Sequence, residues 1–468
     1  MIKKTALVLL MCLFTVGCSQ SAASLLPFMD PAVSNKTDLE GKTYYIASDV
    51  QPSESMHETF FSYGATTQNY DNAIARFNEV QKKLNCNLKF TTPVGSRDML
   101  LAAAAEKPID MIVHPIYYGG MTDIMSGIYT PISDIAAIDY KNSDKWGSPN
   151  MLELFCYNDE LYGVIPAAWP DGNIMSLDFL MVINEPMVER NAMTDPRDLF
   201  EQGQWTHDNF LDTVSRFYNT DNPDNIVYGF SGNDRHFFDM TLKSFGVDFV
   251  IKNGDVYENG YMTEEFVTAY EWASNFIAGD YAEMSIFEGM DCVQHWVNDM
   301  TGIAMVHMNY LCSMGGDDSS SDIVLADKEY GLVPFPSMDG KTIHAQYERV
   351  INGIMFSSWR VTNDDMGVIA NALFEPFEGI ETIEDQKANL NTNLFFDERD
   401  TNLIFNMITE AKYLFHDEGI NDLHAEIKNT AGKKSGTQVQ QEYQTKLDTI
   451  IAEYIQNARS SYENIFGE

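Results

Sequence analysis

Apolar residues in the first quarter of the chain alternate between short continuous runs and stripes at helical spacing. The runs predict strands, and the stripes, in which every third or fourth residue is apolar, predict helices. In chain order these are strands at 43–47, 87–92 and 110–113, separated by helices at 70–84 and 99–105. Strands that alternate with helices favour a parallel sheet with helices on its faces. We therefore predict an α/β fold for this region.

The same alternation resumes after residue 166. Strands are predicted at 180–183, 302–306 and 330–334, and helices at 364–374 and 437–458. Two further helices begin after the N-cap candidates Thr206 and Thr263. Trp205 precedes the first cap and can pack on Phe210, so we expect it to be structural. Without any repeat of 20–50 residues, two α/β lobes are the simplest organisation.

Charge limits the partners that the chain can bind. It has 468 residues, with 30 Lys and Arg against 69 Asp and Glu, which gives a net charge of −39. Nucleic acids bind mainly through cations that neutralise phosphates, so no nucleic-acid partner is expected. Anionic membrane surfaces are disfavoured for the same reason. Apolar residues make up 44% of the chain, which is enough for packed cores.

The amino terminus has the pattern of an export signal. Lys3 and Lys4 precede an apolar run over 6–16, which is shorter than the roughly 20 residues that span a bilayer. We predict a signal peptide over 1–17.

The residues that follow the apolar run predict a lipid anchor. The run ends in Thr-Val-Gly-Cys, which is similar to the bacterial lipobox, so Cys18 would carry lipid as the mature N-terminus. An ordinary secretory signal cleaved nearby is the alternative. Residues 18–40 suit a flexible tether. The expected location is the extracytoplasmic side of the cell membrane, lipid-anchored.

Motifs for cofactor chemistry are missing. The sequence has no phosphate-binding loop, no glycine-rich dinucleotide loop and no HExxH, so neither a cofactor nor a catalytic metal is expected. The acidic runs at 221–224 and 317–322 lack EF-hand spacing, which favours solvated turns over calcium sites. No CxxC pair is present. The four cysteines beyond Cys18, namely Cys86, Cys156, Cys292 and Cys312, could form disulfides or remain buried thiols. We expect buried thiols, because Cys86 and Cys156 lie among apolar neighbours and a chain of this size needs no disulfides.

Aromatic and polar residues follow the predicted strands where a ligand would bind. Open α/β sheets bind ligands outside the carboxyl ends of their strands. Rings can cover the apolar face of a sugar, while carboxylates and amides orient its hydroxyls. Core packing is the alternative for each ring, at even odds or better. The candidate ligand-binding residues are Asp49, Gln51, Tyr117, Tyr118, Trp169 and Asp171.

Seven segments between about residues 41 and 375 form a recognisable set, in order along the chain. They are Pro108–Val113 with Tyr118-Gly119-Gly120, Tyr162–Pro166, Val182–Glu185, Gly203–Phe210, Gly302–Met305 with Asn309-Tyr310, Tyr330–Pro336 as a second crossing, and Asn352–Met355. Together these segments resemble the extracellular solute-binding proteins of bacterial ABC importers. The resemblance is to the sugar-binding branch of that family, which includes maltose-binding protein.

The resemblance implies a two-lobed periplasmic-binding-protein-like fold, in which two α/β domains are joined by crossing strands with a cleft between them. Lobe 1 would comprise 41–167 plus 332–378, and lobe 2 would comprise 168–331 plus 379–468. A sugar would bind in the cleft, and the lobes would close around it by a hinge motion. Asn309, Tyr310 and Trp359 join the candidate site on the same grounds.

The resulting hypothesis is a lipid-tethered receptor rather than an enzyme. It would bind a mono- or oligosaccharide and deliver it to ABC permease subunits driven by a separate ATPase, and a monomer is expected. A receptor of the same architecture for a peptide, a polyamine or another non-sugar nutrient is the alternative. An exported glycan hydrolase is a third possibility, which would need paired carboxylates in the cleft.

Overall fold

The computed structural model describes most of the chain after residue 37. The described residues are 38–48, 68–91, 96–115, 120–169, 176–221, 226–254, 256–285, 290–308, 329–347, 352–393, 395, 397–412 and 418–467. The predicted signal peptide at 1–17 and Cys18 lie outside these ranges, as does most of the predicted tether.

Strands and helices alternate through the described residues. The strands are β1 Thr43–Ser48, β2 Asn87–Thr91, β3 Met111–Pro115, β4 Cys156–Tyr157, β5 Glu160–Leu161, β6 Phe179–Asn184, β7 Tyr228–Asn233, β8 Val250–Asn253, β9 Val256–Asn259, β10 Ala282–Ser285, β11 Thr301–His307, β12 Tyr330–Val333 and β13 Asn352–Phe356. The helices are α1 Gln68–Leu84, α2 Ser96–Ala104, α3 Gly120–Met125, α4 Ser143–Trp146, α5 Pro149–Leu152, α6 Glu185–Arg190, α7 Pro196–Glu201, α8 His207–Phe217, α9 Asp234–Ser244, α10 Glu264–Ile277, α11 Met290–Val297, α12 Asn363–Leu373, α13 Ile383–Asn393, α14 Glu398–Glu410, α15 Glu418–Lys428, α16 Gly436–Ile450 and α17 Gln456–Phe466.

A four-stranded sheet contains the first three strands, as predicted. Its order is β13-β3-β1-β2, and β1 pairs in parallel with both β2 and β3. The last strand, β13, runs antiparallel to β3, with Asn352 opposite Pro115. The predicted apolar stripe of α1 is buried at Ala73, Phe77 and Val80. This confirms the α/β organisation expected from the pattern.

The second sheet has five strands, in the order β10-β7-β11-β6-β12. Strands β7, β10 and β11 are parallel, whereas β6 runs antiparallel to β11 and β12. Alternate residues of β6 enter different cores. Val182 packs in the core that continues from the four-stranded sheet, and Ile183 packs on the other face with Trp205 and Phe210. The two sheets therefore share one apolar core along the inner face of the second.

The helix start at Thr206 has the predicted structure. The Thr206 hydroxyl accepts a hydrogen bond from the Asn209 backbone N–H at the start of α8. Trp205 is fully buried, with its ring centroid 5.9 Å from that of Phe210. Its indole N–H donates to the Pro334 carbonyl at 2.8 Å. The structural role predicted for Trp205 is confirmed.

The long carboxyl-terminal helix predicted over 437–458 is interrupted. Helix α16 ends at Ile450, the five residues Ile451–Ile455 form a π-helical turn, and α17 continues to Phe466. A π turn inserts a residue and rotates the apolar stripe. Accordingly α16 packs against α10, whereas α17 packs against β4 and β5. Apolar spacing alone did not reveal this change of face.

The thiols of Cys86 and Cys156 are free and buried, as predicted. Desolvation raises the pKa of Cys86 to about 11 and raises the pKa of Cys156 well above its usual value. Both side chains therefore stay protonated at neutral pH and act as small apolar groups.

The chain returns to the four-stranded sheet later than expected. Residues 330–336 were assigned to the second crossing, with lobe 1 resuming at 332. Instead β12 pairs with β6 in the five-stranded sheet, with Leu332 opposite Val182. The return to the first sheet falls between β12 and β13. A four-residue apolar run predicts a strand but not the sheet that it joins, and the remaining lobe boundaries stay predictions.

Within the described ranges, no helix combines the length and the apolar character needed to cross a membrane.

The close packing of Gly353 against Phe155 predicts that a larger residue at position 353 destabilises the protein. A Cβ atom on Gly353 would lie 2.2 Å from Cε1 of the fully buried Phe155 ring. We expect Gly353→Ala to lower the free energy of unfolding by about 1–3 kcal/mol, the usual cost of overpacking a core. Chemical denaturation measures this loss. In a double-mutant cycle the loss should be smaller in a Phe155→Leu background, and equal losses in both backgrounds would contradict the predicted clash.

Candidate functional site

Three segments of the chain run side by side between the two sheets. Val164 forms a β-bridge with Ile354, with N···O distances of 3.1 and 2.8 Å. Further along the same two segments, Leu177 is paired with Tyr347. The third segment joins through Lys412, which is paired with Gln346. We call this region the junction, because it connects the sheets through the described residues 164–169 with 176–178, 345–347 with 352–354, and 411–412.

The junction is tied to the second sheet by a buried amine. Lys243 lies near the end of α9, and its Nζ donates to the carbonyl of Ala345 at 2.8 Å and to that of Lys412 at 2.7 Å. Burial lowers the pKa of Lys243 to about 7, the nearby Asp248 carboxylate opposes this shift, and the Lys412 cation adds to it. One side chain therefore holds two of the three crossing segments.

Polar side chains gather at the edge of the second sheet that borders the junction. Strands β7 and β11 are parallel and end there, while the antiparallel β6 begins there, with Phe179 opposite His307. Helix α9 starts at the same edge because it follows β7 directly. We define the edge cluster as Asp178, Phe179, His236, His307 and Gln346.

Asp178 is the centre of the edge cluster. Its Oδ2 accepts a hydrogen bond from Gln346 Nε2 at 3.2 Å and lies 3.4 Å from His236 Nδ1. Its Oδ1 lies 3.9 Å from His307 Nε2. The His236 ring stacks on Phe179 with centroids 3.7 Å apart, and His307 meets the same ring edge-on at 5.3 Å. The cluster thus surrounds one buried carboxylate with two imidazoles and an amide.

Several polar atoms at this edge lack a hydrogen-bond partner although they are buried. They are Gln346 Oε1, His236 Nδ1, and Nε and Nη2 of the neighbouring Arg235. A buried polar atom without a partner costs about 1–3 kcal/mol, although such atoms also occur elsewhere in the described structure, for example Trp146 Nε1 and Arg459 Nε. Together they offer both donors and acceptors, which is the chemistry that orients a polyhydroxylated molecule.

Among the described residues, no group of three or more His, Cys, Asp or Glu side chains is arranged to hold a metal ion. Glycoside hydrolysis uses a pair of carboxylates on either side of the bond, whereas the edge cluster contributes a single one.

Most sequence-predicted site residues lie outside the described part of the chain. They are Asp49, Gln51, Tyr117, Tyr118, Asp171, Asn309 and Tyr310. Three of them closely follow described elements that end beside the junction. Asp49 follows β1, Asp171 follows the first crossing segment, and Asn309 comes two residues after His307.

Trp169 has the contacts of a core residue. Its ring is fully buried, with centroids 5.1 Å from Phe374 and 4.8 Å from Phe377. The indole N–H donates to the Glu375 carbonyl at 3.1 Å. Core packing was the alternative for this ring. A ligand contact by Trp169 would require this packing to open.

Trp359 lies at the opposite edge of the first sheet from the carboxyl ends of β1 and β3. It follows β13, whose last residue, Phe356, is opposite Met111 at the start of β3. Its indole N–H donates to the Lys107 carbonyl at 2.9 Å. A ligand at the carboxyl edge, where the site was expected, lies on the other side of the sheet from this ring.

The sequence analysis missed the edge cluster and Arg235. One signal was available, because Asn233-Asp234-Arg235-His236 directly follows a strand and opens a helix. Asn233 is an effective N-cap, and its Oδ1 accepts from the backbone N–H groups of Arg235 and His236. Gln346 and Asp178 had no local signal, since their approach depends on the pairing of two distant segments.

Known proteins resemble this chain in structure but not detectably in sequence. No family model matches the chain, and no curated protein matches it in sequence. Solved structures do match over most of its length. A solute-binding protein of an ABC transporter from Thermotoga lettingae, bound with α-D-tagatose, aligns with a TM-score of 0.57 and 12% identity, covering 88% of this chain and 100% of that one.

Two further solved structures of binding proteins match the chain to a similar extent. A cyclo/maltodextrin-binding protein complexed with maltotetraose aligns with a TM-score of 0.59 and 12% identity, covering 88% of this chain and 97% of that one. The GacH receptor of Streptomyces glaucescens, solved unliganded and with acarbose, has a TM-score of 0.59 and 11% identity, covering 88% and 99%. The chain has the two-lobed fold of ABC-importer solute-binding proteins.

In this solute-binding fold the two sheets are the centres of the two lobes, and the junction is the connection between them. The carboxyl edges of both sheets border the junction. In the second lobe Gln346 belongs to a crossing segment and contacts Asp178. In the first lobe Asn352 begins β13 opposite Pro115, the last residue of β3. A ligand at the junction can therefore contact both lobes.

The buried amine of Lys243 predicts a pH dependence of stability. The folded-state pKa of about 7 lies below the usual 10.5, so the unfolded chain binds more protons between these values. The contribution of Lys243 to the free energy of unfolding therefore increases as pH rises from 7 towards 10.5. We expect Lys243→Met to be destabilised by about 1–3 kcal/mol, because two carbonyls lose their donor.

Urea denaturation at pH 7 and pH 9 tests this prediction. The stability difference between wild type and Lys243→Met should grow with pH. The exposed Lys341 is the control, and Lys341→Met should show no such growth. A constant difference across this range would show that Lys243 titrates at an ordinary lysine pKa, contrary to the prediction.

Proposed function

We propose that this protein is the substrate-binding component of an ABC importer, which binds a mono- or oligosaccharide between its lobes and delivers it to a permease. The observation that carries the proposal is the edge cluster. It places unpartnered donors and acceptors beside the junction of a solute-binding fold. The compared proteins with this fold are complexed with tagatose, maltotetraose and acarbose, which supports a saccharide as the ligand class.

Binding would work by a shift between open and closed arrangements of the lobes. A ligand favours the closed arrangement only to the extent that it binds that arrangement more tightly. Contacts with both lobes supply this difference, because they form together only when the lobes approach. The edge cluster is the second-lobe half of the site. Asp49, Gln51, Tyr117 and Tyr118 are the proposed first-lobe half.

The remaining contacts of the proposed site follow the crossing segment and β11, at Asp171, Asn309 and Tyr310. The protein acts without covalent chemistry in this proposal, so it is not an enzyme. Transport energy would come from a separate ATPase subunit. Cys18 would carry the lipid that holds the protein on the extracytoplasmic side of the membrane, with the folded chain working as a monomer.

A thermal-shift and calorimetric panel tests the ligand class. Neutral and acidic mono- and oligosaccharides, peptides and polyamines are compared, since a ligand that binds only the folded state raises its melting temperature. We expect saccharides to produce the shift. A shift by peptides or polyamines alone would favour the alternative receptor class, and steady glycan turnover would contradict a binding role.

Asp178 gives the matched test within the edge cluster. Asp178→Asn removes the charge from a carboxylate that holds Gln346 and two imidazoles, so we expect saccharide affinity to fall by about 10–100-fold, as for a lost charge-assisted hydrogen bond. Calorimetry measures the affinity, and circular dichroism checks folding. Asp212, which is exposed on α8, is the control. Equal affinity in Asp178→Asn and Asp212→Asn would remove the edge cluster from the site.

A further inference from the structure

Arg235 is a cation that has no ion-pair partner among the described residues of a strongly acidic protein. Its Nε and Nη2 atoms are buried and make no hydrogen bond. No carboxylate of the described residues forms an ion pair with it, although the chain contains 69 Asp and Glu. A guanidinium has only donors and stays charged at any physiological pH, so this arrangement leaves a charge partly desolvated and unneutralised.

Other partly buried arginines in the described structure are paired. Arg197 contacts the carboxylates of Glu185 and Asp195 at 2.5 and 2.7 Å. Arg360 Nε donates to Asp110 at 2.8 Å, and Arg459 lies 2.6 Å from Glu153. Among the described residues, therefore, acids lie beside these three guanidinium groups, and none forms an ion pair with Arg235.

The position of Arg235 places it next to the proposed site. It is the second residue of α9, which begins where β7 ends, and its neighbour His236 belongs to the edge cluster. Two neighbouring acids have partners. Asp234 lies 2.6 Å from Lys428 Nζ, and Asp178 accepts a hydrogen bond from Gln346. The amino terminus of α9 adds a favourable potential for an anion at this edge.

The two unpartnered nitrogens of Arg235 indicate which kind of acceptor group would fit beside them. Nε and Nη2 lie on one edge of the planar guanidinium, and their two N–H bonds are parallel. A carboxylate accepts both bonds at once in the bidentate arrangement that arginine prefers. A single hydroxyl would satisfy only one of them and would leave the charge unneutralised.

We propose that the ligand is a saccharide carrying a carboxylate, such as a uronic acid, and that Arg235 binds this carboxylate through Nε and Nη2. This inference rests on the proposed function and adds the charge of the ligand to it. The anionic group takes the place of the acid that none of the described residues supplies. In a protein with a net charge of −39, such a local cation is also what allows an anion to approach.

Matched sugar pairs test the proposal on the full mature chain. Galacturonate and glucuronate, with their short oligomers, are compared by calorimetry with galactose, glucose and neutral oligomers of equal length. We expect the uronates to bind at least tenfold more tightly than their neutral counterparts. Arg235→Gln should lower uronate affinity at least tenfold and leave neutral affinity within about threefold. Arg235→Lys keeps the charge but loses the paired donors, so it should give an intermediate affinity.

Stability and a surface control complete the experiment. Because no described residue forms an ion pair with Arg235 in the unliganded protein, Arg235→Gln should melt no lower than wild type. The exposed Arg216 is the control, and Arg216→Gln should leave both affinities unchanged. Neutral sugars that bind as tightly as uronates would overturn the inference and leave the proposed function standing. An equal fall in affinity for uronates and neutral sugars in Arg235→Gln would likewise overturn the inference and leave the proposed function standing. Failure of every saccharide to bind would overturn both proposals.

Discussion

Backbone pairing at the junction is the constraint on which the rest of the structure depends. Val164 with Ile354 and Leu177 with Tyr347 align two crossing segments, and Lys412 adds the third. Because these pairs are separated widely along the chain, they bring the carboxyl edges of two independently wound sheets to one place. Lys243 donates to two of the crossing segments from α9, so the helix that carries Arg235 and His236 is connected directly to the junction.

Unpartnered polar groups beside the junction are the basis of the proposed site. Arg360, by contrast, is paired with Asp110. Gln346 Oε1 and two nitrogens of Arg235 are buried without hydrogen-bond partners, as are atoms elsewhere such as Trp146 Nε1 and Arg459 Nε. Each such atom costs free energy on folding. Those at the edge where the two lobes meet would be satisfied if a ligand supplied the complementary groups.

Local periodicity predicted much of the fold and little of the site. The strand at 43–47, the stripe of α1 and the cap at Thr206 each depend on a few neighbouring residues, and each was found as expected. The sheet joined by β12 and the π turn at Ile451–Ile455 depend on packing against distant segments, and the pattern did not reveal them. Tryptophans suggested ligand platforms because of their chemistry, yet Trp169 is a core residue and Trp359 lies at the far sheet edge. The Asp178 contacts arise only from long-range pairing.

Small-angle X-ray scattering, with and without a saturating saccharide, tests the central claim that two lobes close over a ligand held at their junction. The account predicts a smaller radius of gyration in the liganded protein, and for Asp178→Asn the same decrease only at saccharide concentrations about 10–100-fold higher. An unchanged scattering profile at ligand concentrations that saturate the calorimetric binding curve would contradict closure and the two-sided site on which it depends.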